Sequence, residues 1–242
     1  MKAPIGFDQC LTFINCQMQP PVRALRFYRN GDHPPIVTIS RQAGAGGHAV
    51  AAKLLELLEA QTPAGDRPWT VFDRNLVEKV LEDHHLPKRL ARFMPEDRIS
   101  EIGDTLDELF GLHPPSWLLV RQTADTILHL AELGHVILIG RAANVITARL
   151  GYAFHVRLVG SLQRRVRHLQ ELERLTPKAA LELVEREDLG RRRYLKKYFN
   201  KDIDNPLLYH LVINTDLVPY GEAAHMIAEA VTAKEAPEPV AA

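Results

Sequence analysis

This chain of 242 residues has few cysteines, no net charge and no long apolar run. Cys10 and Cys16 are its two cysteines, which favours a reducing compartment and gives no disulfide framework. Thirty basic residues balance thirty acidic ones, so no overall field points to nucleic acid or to a membrane surface. No run approaches the ~18 apolar residues that a membrane-spanning helix needs. We therefore expect a cytoplasmic protein without a membrane partner.

The chain divides into three parts by composition. Residues 1–33 form a predicted N-terminal appendage that contains Pro20-Pro21 and the Asn30-Gly31 turn. Its apolar stretch is interrupted by polar residues, which is not typical of a signal peptide. Residues 34–232 form the predicted main domain, and residues 233–242 form a tail that we expect to be disordered.

Short runs rich in valine and isoleucine alternate with helical patterns in the main domain. Such runs are typical of parallel strands covered by helices on both faces, so the sequence predicts a three-layer α/β domain with five strands. Ser116 is a predicted cap for a helix over 117–133, and Thr176-Pro177 opens another helix that leads into the basic segment 186–201. The strands are predicted at 36–40, 69–72, 135–139, 153–159 and 210–214.

A glycine-rich turn joins the first predicted strand to the first predicted helix. The order strand, glycine turn, helix is typical of a phosphate cradle built from main-chain N–H groups, although tight packing of a corner would also explain the glycines. On the phosphate-loop pattern GxxxxGK[ST], Arg41 takes the first glycine position, Gly47 takes the lysine position and His48 takes the hydroxyl position. The predicted cofactor-binding residues are Gly44, Ala45, Gly46, Gly47 and His48.

Polar residues follow each of the predicted strands. Because ligands of doubly wound sheets bind at the C-terminal ends of the strands, these residues are the candidate site. Three roles are open for Asp73: it caps the N-terminus of a helix, it holds magnesium through water, or it orients an acceptor oxygen. His48 either contacts phosphate or is an ordinary surface residue. Several arginines at one sheet edge indicate an anionic, phosphorylated ligand, although Arg74, Arg164 and Arg167 are each better explained, taken singly, as solvated helix surface.

Five motifs in order resemble the cytidylate kinase-like family of phosphate-loop proteins. They are ISRQAGAGG, FDRNLVEKV, VILIGRAANVI, ERED-LGRRRYLKKYF and YHLVINTDL, and together they extend over roughly residues 35–230. The resemblance implies a three-layer P-loop kinase fold with a five-stranded parallel sheet and an arginine-rich helical lid. It also implies ATP and Mg²⁺ as cofactors and a nucleotide or other small molecule as phosphoryl acceptor.

The resemblance also implies roles for individual residues. Arg121 and Arg141 match arginines that hold nucleotide phosphates, and Asp188 with Arg191 matches the Asp-x-x-Arg pattern of the lid. Ala142 stands where true cytidylate kinases carry an aspartate that helps to read cytosine, so the acceptor base is left open. The predicted catalytic residues are Arg41, Arg141, Asp188 and Arg191. The predicted substrate-binding residues are Asp73, Arg74, Arg121 and Arg141.

Three functional interpretations remain open at this stage. The first is transfer of the γ-phosphoryl group of ATP to a nucleoside monophosphate or similar acceptor, mostly by positioning and charge neutralisation. The second is a nucleotide-binding sensor or scaffold that has lost catalysis, which the missing lysine at Gly47 favours. The least favoured is a nucleic-acid patch over 186–201, because the stacking aromatics there are few and the net charge is zero.

Overall fold

The structure, a computed structural model, describes residues 33–63, 67–73, 118–140 and 142–235. The strands are β1 (Ile36–Arg41), β2 (Thr70–Phe72), β3 (Val136–Ile139), β4 (Ala153–Val159) and β5 (Leu211–Asn214). The helices are α1 (Gly47–Gln61), α2 (Leu118–Leu133), α3 (Ala143–Ile146), α4 (Leu162–Glu173), α5 (Pro177–Phe199) and α6 (Tyr220–Glu235), and a 3₁₀ turn covers Pro206–Leu208.

The five strands form one parallel sheet in the order β2-β3-β1-β4-β5, as predicted. In this order β1 lies at the centre, with Ile36 paired to Val136 of β3 on one side and to Ala153 of β4 on the other. The chain leaves β1 toward one edge and returns across it to reach β4. The loops after β1, β3 and β4 therefore meet at the C-terminal edge of the sheet, where ligands of such folds bind.

Alternating side chains of the strands contribute to two hydrophobic cores, one on each face of the sheet. Val37 and Ile39 point toward the core that α1 and α6 cover, whereas Ile36 belongs to the core covered by α2 and α3. Near-continuous apolar strands are the expected consequence of burial on both faces. A third, smaller cluster joins α4 and α5 around Leu169 and Val184, and includes Ala43 of the loop after β1.

The helix-capping predictions that fall on described residues are confirmed. The hydroxyl of Thr176 accepts a hydrogen bond from the N–H of Ala179, and Pro177 is the first helical residue of α5. Ser161 caps α4 in the same way through the N–H of Arg164. The helix predicted over 117–133 is α2, which begins at Leu118, while its predicted cap Ser116 lies outside the described residues.

The predicted strand boundaries differ from the structure by at most one residue, and the predicted start of the tail differs by more. α6 continues to Glu235, three residues into the segment 233–242 that was predicted to be a disordered tail. Alanine, lysine and glutamate at 233–235 are good helix formers, and Pro237 is the first residue that would interrupt the helix. The rest of that segment and residues 1–32 of the appendage lie outside the described residues. In the described part of the chain, none of the helices has the length and apolarity that crossing a membrane requires.

Candidate functional site

The N-terminus of α1 lacks a side-chain cap. Gly46 is its N-cap with a left-handed backbone (φ 80°), and none of the described side chains caps this end of the helix. The first turn of α1 contains no acidic residue. The N–H groups of Gly47 and His48 belong to the first turn, where a helix provides no carbonyl partner for them. Uncapped donors at the positive end of a helix are the physical requirement for phosphate binding.

Two glycines of this loop are also required by packing. A Cβ at Gly44 would overlap the main-chain carbonyl of Arg165 on α4, and a Cβ at Gly46 would overlap the ring of Tyr220 at the start of α6. Both glycines have positive φ, which other residues rarely adopt. The loop therefore packs closely against α4 at Gly44 and against α6 at Gly46. The packing explanation of the glycines is correct, and it is compatible with the anion site.

Arg41 lies across the mouth of the loop. Its aliphatic portion is 3.0 Å from the position that a Cβ at Gly47 would occupy, and its guanidinium group lies against Gly140 at the end of β3. The side chain thus extends from the first turn of α1 to the loop after β3. The positive charge of Arg41 is consequently close to the place where the phosphate-loop pattern would put its lysine. Arg141, the next residue after Gly140, lies outside the described residues.

The lid helix α5 contacts the loop through a carboxylate. Asp188 accepts a hydrogen bond of 2.7 Å from the N–H of Ala43 and one of 2.6 Å from Nη1 of Arg165. Arg191, one turn further along α5, donates to Asp188 at 3.2 Å. Asp188 therefore lies between the loop and two guanidinium groups, a position from which it orients the loop and Arg165.

Arg165 belongs to the group of arginines after β4 that the sequence placed at the candidate edge, although no individual role was predicted for it. It is 8% exposed, and besides Asp188 it donates to the carbonyl of Gly160 at 2.9 Å and to the carbonyl of Ala43 at 3.0 Å. A run of arginines directly after β4 was the available indication. The sequence alone gave no reason to choose Arg165 over Arg164 and Arg167, because the local pattern does not show which of the arginines turns toward the loop after β1.

A second buried arginine ties the lid to the sheet. Arg157 of β4 is 4% exposed, and it donates to the hydroxyl of Ser40 at 2.9 Å and to Asp204 at 2.6 Å. Asp204 also accepts from Arg192 of α5 at 3.2 Å. Because Ser40 immediately precedes Arg41, this network connects the C-terminal half of the lid helix to the beginning of the loop. Sequence reasoning missed Arg157, since it lies within an apolar strand.

A cavity of about 470 Å³ opens beside the loop, between α4 and the segment that joins β5 to α6. Hydrogen bonds from Ser161 hold the pKa of Asp216 below its ordinary value, and burial raises the pKa of Tyr220 above its own. The cavity therefore offers basic groups, a stable carboxylate and an aromatic ring. Its lining includes Gly44, Arg164, Arg167, His168, Asp216 and Tyr220.

Two predicted residues from separate elements meet near the other side of the loop. Nε2 of His48, in the first turn of α1, lies 3.3 Å from Oδ2 of Asp73, which directly follows β2. The side chain of His48 is 67% exposed and that of Asp73 is 24% exposed. Among the described ranges, no group of three or more histidine, cysteine, aspartate or glutamate residues is arranged for a metal.

The remaining predicted substrate-binding residues are described only in part. Arg121 is half-buried on α2, one turn before Asp125, whose pKa burial raises although His129 and Arg121 oppose that shift. Arg74, like Arg141, lies outside the described residues. Asn144 of α3 follows β3 and is 6% exposed, and its Nδ2 has no hydrogen-bond partner in the described part of the chain. A buried donor without a partner is rare, and this one lies just after β3, at the C-terminal edge of the sheet.

The strand order, the glycine loop and the paired helices α4 and α5 define a three-layer P-loop kinase-like fold. A crystal structure of an uncharacterized protein from Eubacterium ventriosum has this fold, with a TM-score of 0.63 and 20% identity over 82% of this chain and 98% of that chain. The crystal structure of TT1252 from Thermus thermophilus is 16% identical over 85% of this chain and 100% of that chain, with a TM-score of 0.38 that supports no argument.

The chain belongs to the cytidylate kinase-like family, whose model matches residues 36–217. This confirms the resemblance that the five motifs indicated. No curated protein matches the chain. Family membership places it among nucleotide kinase-like proteins and leaves the acceptor and the use of ATP to be argued from the site.

Proposed function

We propose that this protein transfers the γ-phosphoryl group of ATP to a nucleoside monophosphate or a similar small acceptor. The observation that carries the proposal is the uncapped first turn of α1, which Arg41 crosses from one side and the lid contacts from the other. Phosphoryl transfer requires mainly positioning and neutralisation of charge on the transferred group, and these are the functions that main-chain donors and arginines provide.

The donor nucleotide would occupy the loop and the adjacent cavity. The N–H groups of residues 44–48 would hold its phosphates, and its nucleoside would extend into the cavity between α4 and Tyr220. The volume of about 470 Å³ is within the usual range for small-molecule sites. Arg164 lines this cavity and would add positive charge near the α- and β-phosphates, and the ring of His168 would contribute a hydrogen-bonding nitrogen.

The transferred group would lie between the loop and the lid. Arg41, Arg141 and Arg191 would neutralise its equatorial oxygens, and Asp188 would hold the loop and Arg165 in place. Asp73, Arg74 and Arg121 would orient the acceptor on the β2 side. Closure of the lid formed by α4 and α5 would exclude water, which otherwise competes as acceptor.

The family implies Mg²⁺ alongside ATP, and the chain fits that ion only in part. The carboxylate of Asp73 is a suitable oxygen ligand, directly or through water. His48 occupies the position of the usual hydroxyl, and an imidazole nitrogen is a poor ligand for magnesium. We therefore assign no step of the reaction to a magnesium ion held by the protein.

A second candidate function is a nucleotide-binding sensor that no longer transfers phosphate. Gly47 in place of the phosphate-loop lysine favours it, because that lysine normally contacts the transferred phosphate. In this case the loop and lid would respond to a bound nucleotide, and the lid contact through Asp188 would report its presence.

Calorimetry combined with an acceptor screen separates the two functions. Wild-type protein, Arg41→Ala and the charge-matched control Arg193→Ala, an exposed position on α5, would be titrated with ATP and with a non-hydrolysable analogue. Transfer from labelled ATP to nucleoside monophosphates and small alcohols would then be measured. We expect binding and transfer that Arg41→Ala weakens and Arg193→Ala leaves unchanged. Binding without transfer to any acceptor would support the sensor, and no nucleotide binding at all would refute both.

A further inference from the structure

We infer that Asp216 is a specificity-determining residue that selects a donor nucleotide whose base carries an exocyclic amino group, as adenine does. Asp216 follows β5 and lines the cavity beside the loop after β1. The inference rests on the proposed function, because it takes the nucleoside to lie in the cavity and the phosphates to lie on the loop. It adds the chemical group of the base that the protein recognises.

The cavity has the flat, weakly polar surfaces that a nucleobase requires. The rings of Tyr220 and His168 lie edge to face with their centroids 5.7 Å apart, and both residues line the cavity together with Pro219. Because such surfaces favour contact with an aromatic base, we place the base beside them. Nη1 of Arg164 donates to the main-chain carbonyl of Asp216 at 2.8 Å, and this bond holds residue 216 next to the cavity.

The carboxylate of Asp216 is held in place and still has capacity to accept hydrogen bonds. The N–H of Ser161 donates to its Oδ2 at 2.8 Å. Within the described ranges, the hydrogen bonds donated to this carboxylate all come from Ser161. An ionised carboxylate offers about four lone-pair positions. Positions on it therefore remain for a ligand.

The remaining positions accept hydrogen bonds and cannot donate them. The hydrogen bonds from Ser161 hold the pKa of Asp216 below its ordinary value, so the carboxyl group is ionised at neutral pH. An ionised carboxylate attracts the amino group of adenine and repels the carbonyl oxygen that hypoxanthine carries on the same ring carbon. A site that accepts a hydrogen bond from a ligand N–H also discriminates against an analogue that lacks this group.

Calorimetry on the full chain with a matched set of nucleotides tests this role. ATP, inosine triphosphate and purine riboside triphosphate carry on the same ring carbon an amino group, an oxygen and a hydrogen, respectively. The variant is Asp216→Asn, and the control is Glu222→Gln, which neutralises an exposed carboxylate in the first turn of α6. Thermal unfolding checks that each variant keeps the fold, and the wild-type comparison alone decides if Asp216→Asn does not.

We expect the wild type to bind ATP about fivefold more tightly than the other two nucleotides, which is the effect of one partly exposed hydrogen bond. In Asp216→Asn the N–H of Ser161 still needs an acceptor, so the amide should turn its oxygen toward Ser161 and its NH₂ group toward the cavity. Because that NH₂ group donates, the preference for ATP should disappear or change in favour of inosine triphosphate. Glu222→Gln should keep the preference of the wild type.

Equal affinity of the wild type for ATP and purine riboside triphosphate would overturn the inference, as would an unchanged preference in Asp216→Asn. If Asp216→Asn instead alters only the preference for ATP over deoxyadenosine triphosphate, the carboxylate contacts the ribose and the inference is also wrong. Each of these results leaves nucleotide binding, and with it the proposed function, intact. Absence of binding by any nucleotide would refute the proposed function and the inference together.

Discussion

The two halves of the sheet edge are built differently. On the β4–β5 side, the half in which we propose that the donor nucleotide binds (the locked half), the charged groups are locked together: Arg165 contacts Asp188 and two main-chain carbonyls, and Arg157 contacts Ser40 and Asp204. On the β2–β3 side, the half that we propose for the acceptor (the acceptor half), His48 contacts Asp73, and Nδ2 of Asn144 has no hydrogen-bond partner among the described residues. The first half is organised before any ligand arrives, whereas the second contains a buried donor that a ligand can satisfy.

The largest expected effect comes from Arg141, the arginine that follows β3 in the sequence. We predict that Arg141→Ala lowers phosphoryl transfer about 10³-fold or more, because it removes a charge contact that forms in the transition state. The melting temperature should remain that of the wild type, and Arg193→Ala should retain activity. Steady-state kinetics and thermal unfolding of both variants provide the measurement. Near-normal turnover in Arg141→Ala would remove that residue from the site.

A smaller effect, on the free energy of unfolding, is expected when the ion pair of the locked half is broken. Arg165→Met removes the guanidinium group that lies 2.6 Å from the carboxylate of Asp188. It should lower the free energy of unfolding by about 3 kcal/mol, as expected when one member of a buried ion pair is removed. Adding Asp188→Asn should recover part of this loss, since the uncompensated charge is then absent. Urea unfolding of the single and double variants completes the cycle. Fully additive losses would show that the two residues do not act together.

Removal of the capping serine of α4 should lower the free energy of unfolding by about 1 kcal/mol. Ser161→Ala removes the N-cap bond and should destabilise the protein by that amount, as Thr176→Ala should at the start of α5. Ser161 also hydrogen-bonds Asp216 and depresses its pKa. The stabilisation linked to that depression is present above the ordinary pKa of 3.8 and is lost as the pH falls through the lower folded value.

Unfolding of wild-type protein and Ser161→Ala between neutral and acidic pH provides the test of this linkage. The difference between the two proteins should shrink as Asp216 becomes protonated. Thr176→Ala is the matched control, because it removes a cap with no carboxylate nearby in the described contacts. A difference that remains constant at all pH values would mean that Ser161 acts only as a cap.

The smallest change is expected in the acceptor half and has the opposite sign. Asn144→Ala removes a buried donor that has no partner among the described residues, so stability should stay unchanged or rise by up to about 1 kcal/mol. If a ligand normally satisfies this amide, the KM for the acceptor should rise at the same time. Loss of stability without any kinetic effect would make Asn144 a structural residue and weaken the contrast between the two halves.

The elements that could be predicted from sequence are those that follow local rules. The parallel strands were evident from apolar runs such as 153–159, and the cap Thr176 was evident from its residue type and position. The loop was evident from its glycines. Arg157 and Arg165 could not be predicted, because their roles depend on Asp204 and Asp188, which are 47 and 23 residues away and come close only in the folded chain.

The acceptor half was the least predictable part for a related reason. Asp73 and His48 were each ambiguous, since an aspartate before a helix suits a cap and an exposed histidine suits the surface. Their meeting at 3.3 Å is a property of the strand order, which brings the end of β2 toward the beginning of α1. The roles of Arg74 and Arg141 stay predictions, because neither residue is among those described.

The ring of Tyr220 beneath Gly46 has a consequence for how this protein is made. Tyr220 begins the last helix of the described chain, yet it supports a loop that is synthesised some 170 residues earlier. In a nascent chain on the ribosome, the glycine turn would therefore lack the packing contact with Tyr220 until α6 emerges. Nucleotide capture should begin only at that late stage of synthesis, and a chain released before Tyr220 should be unable to retain it.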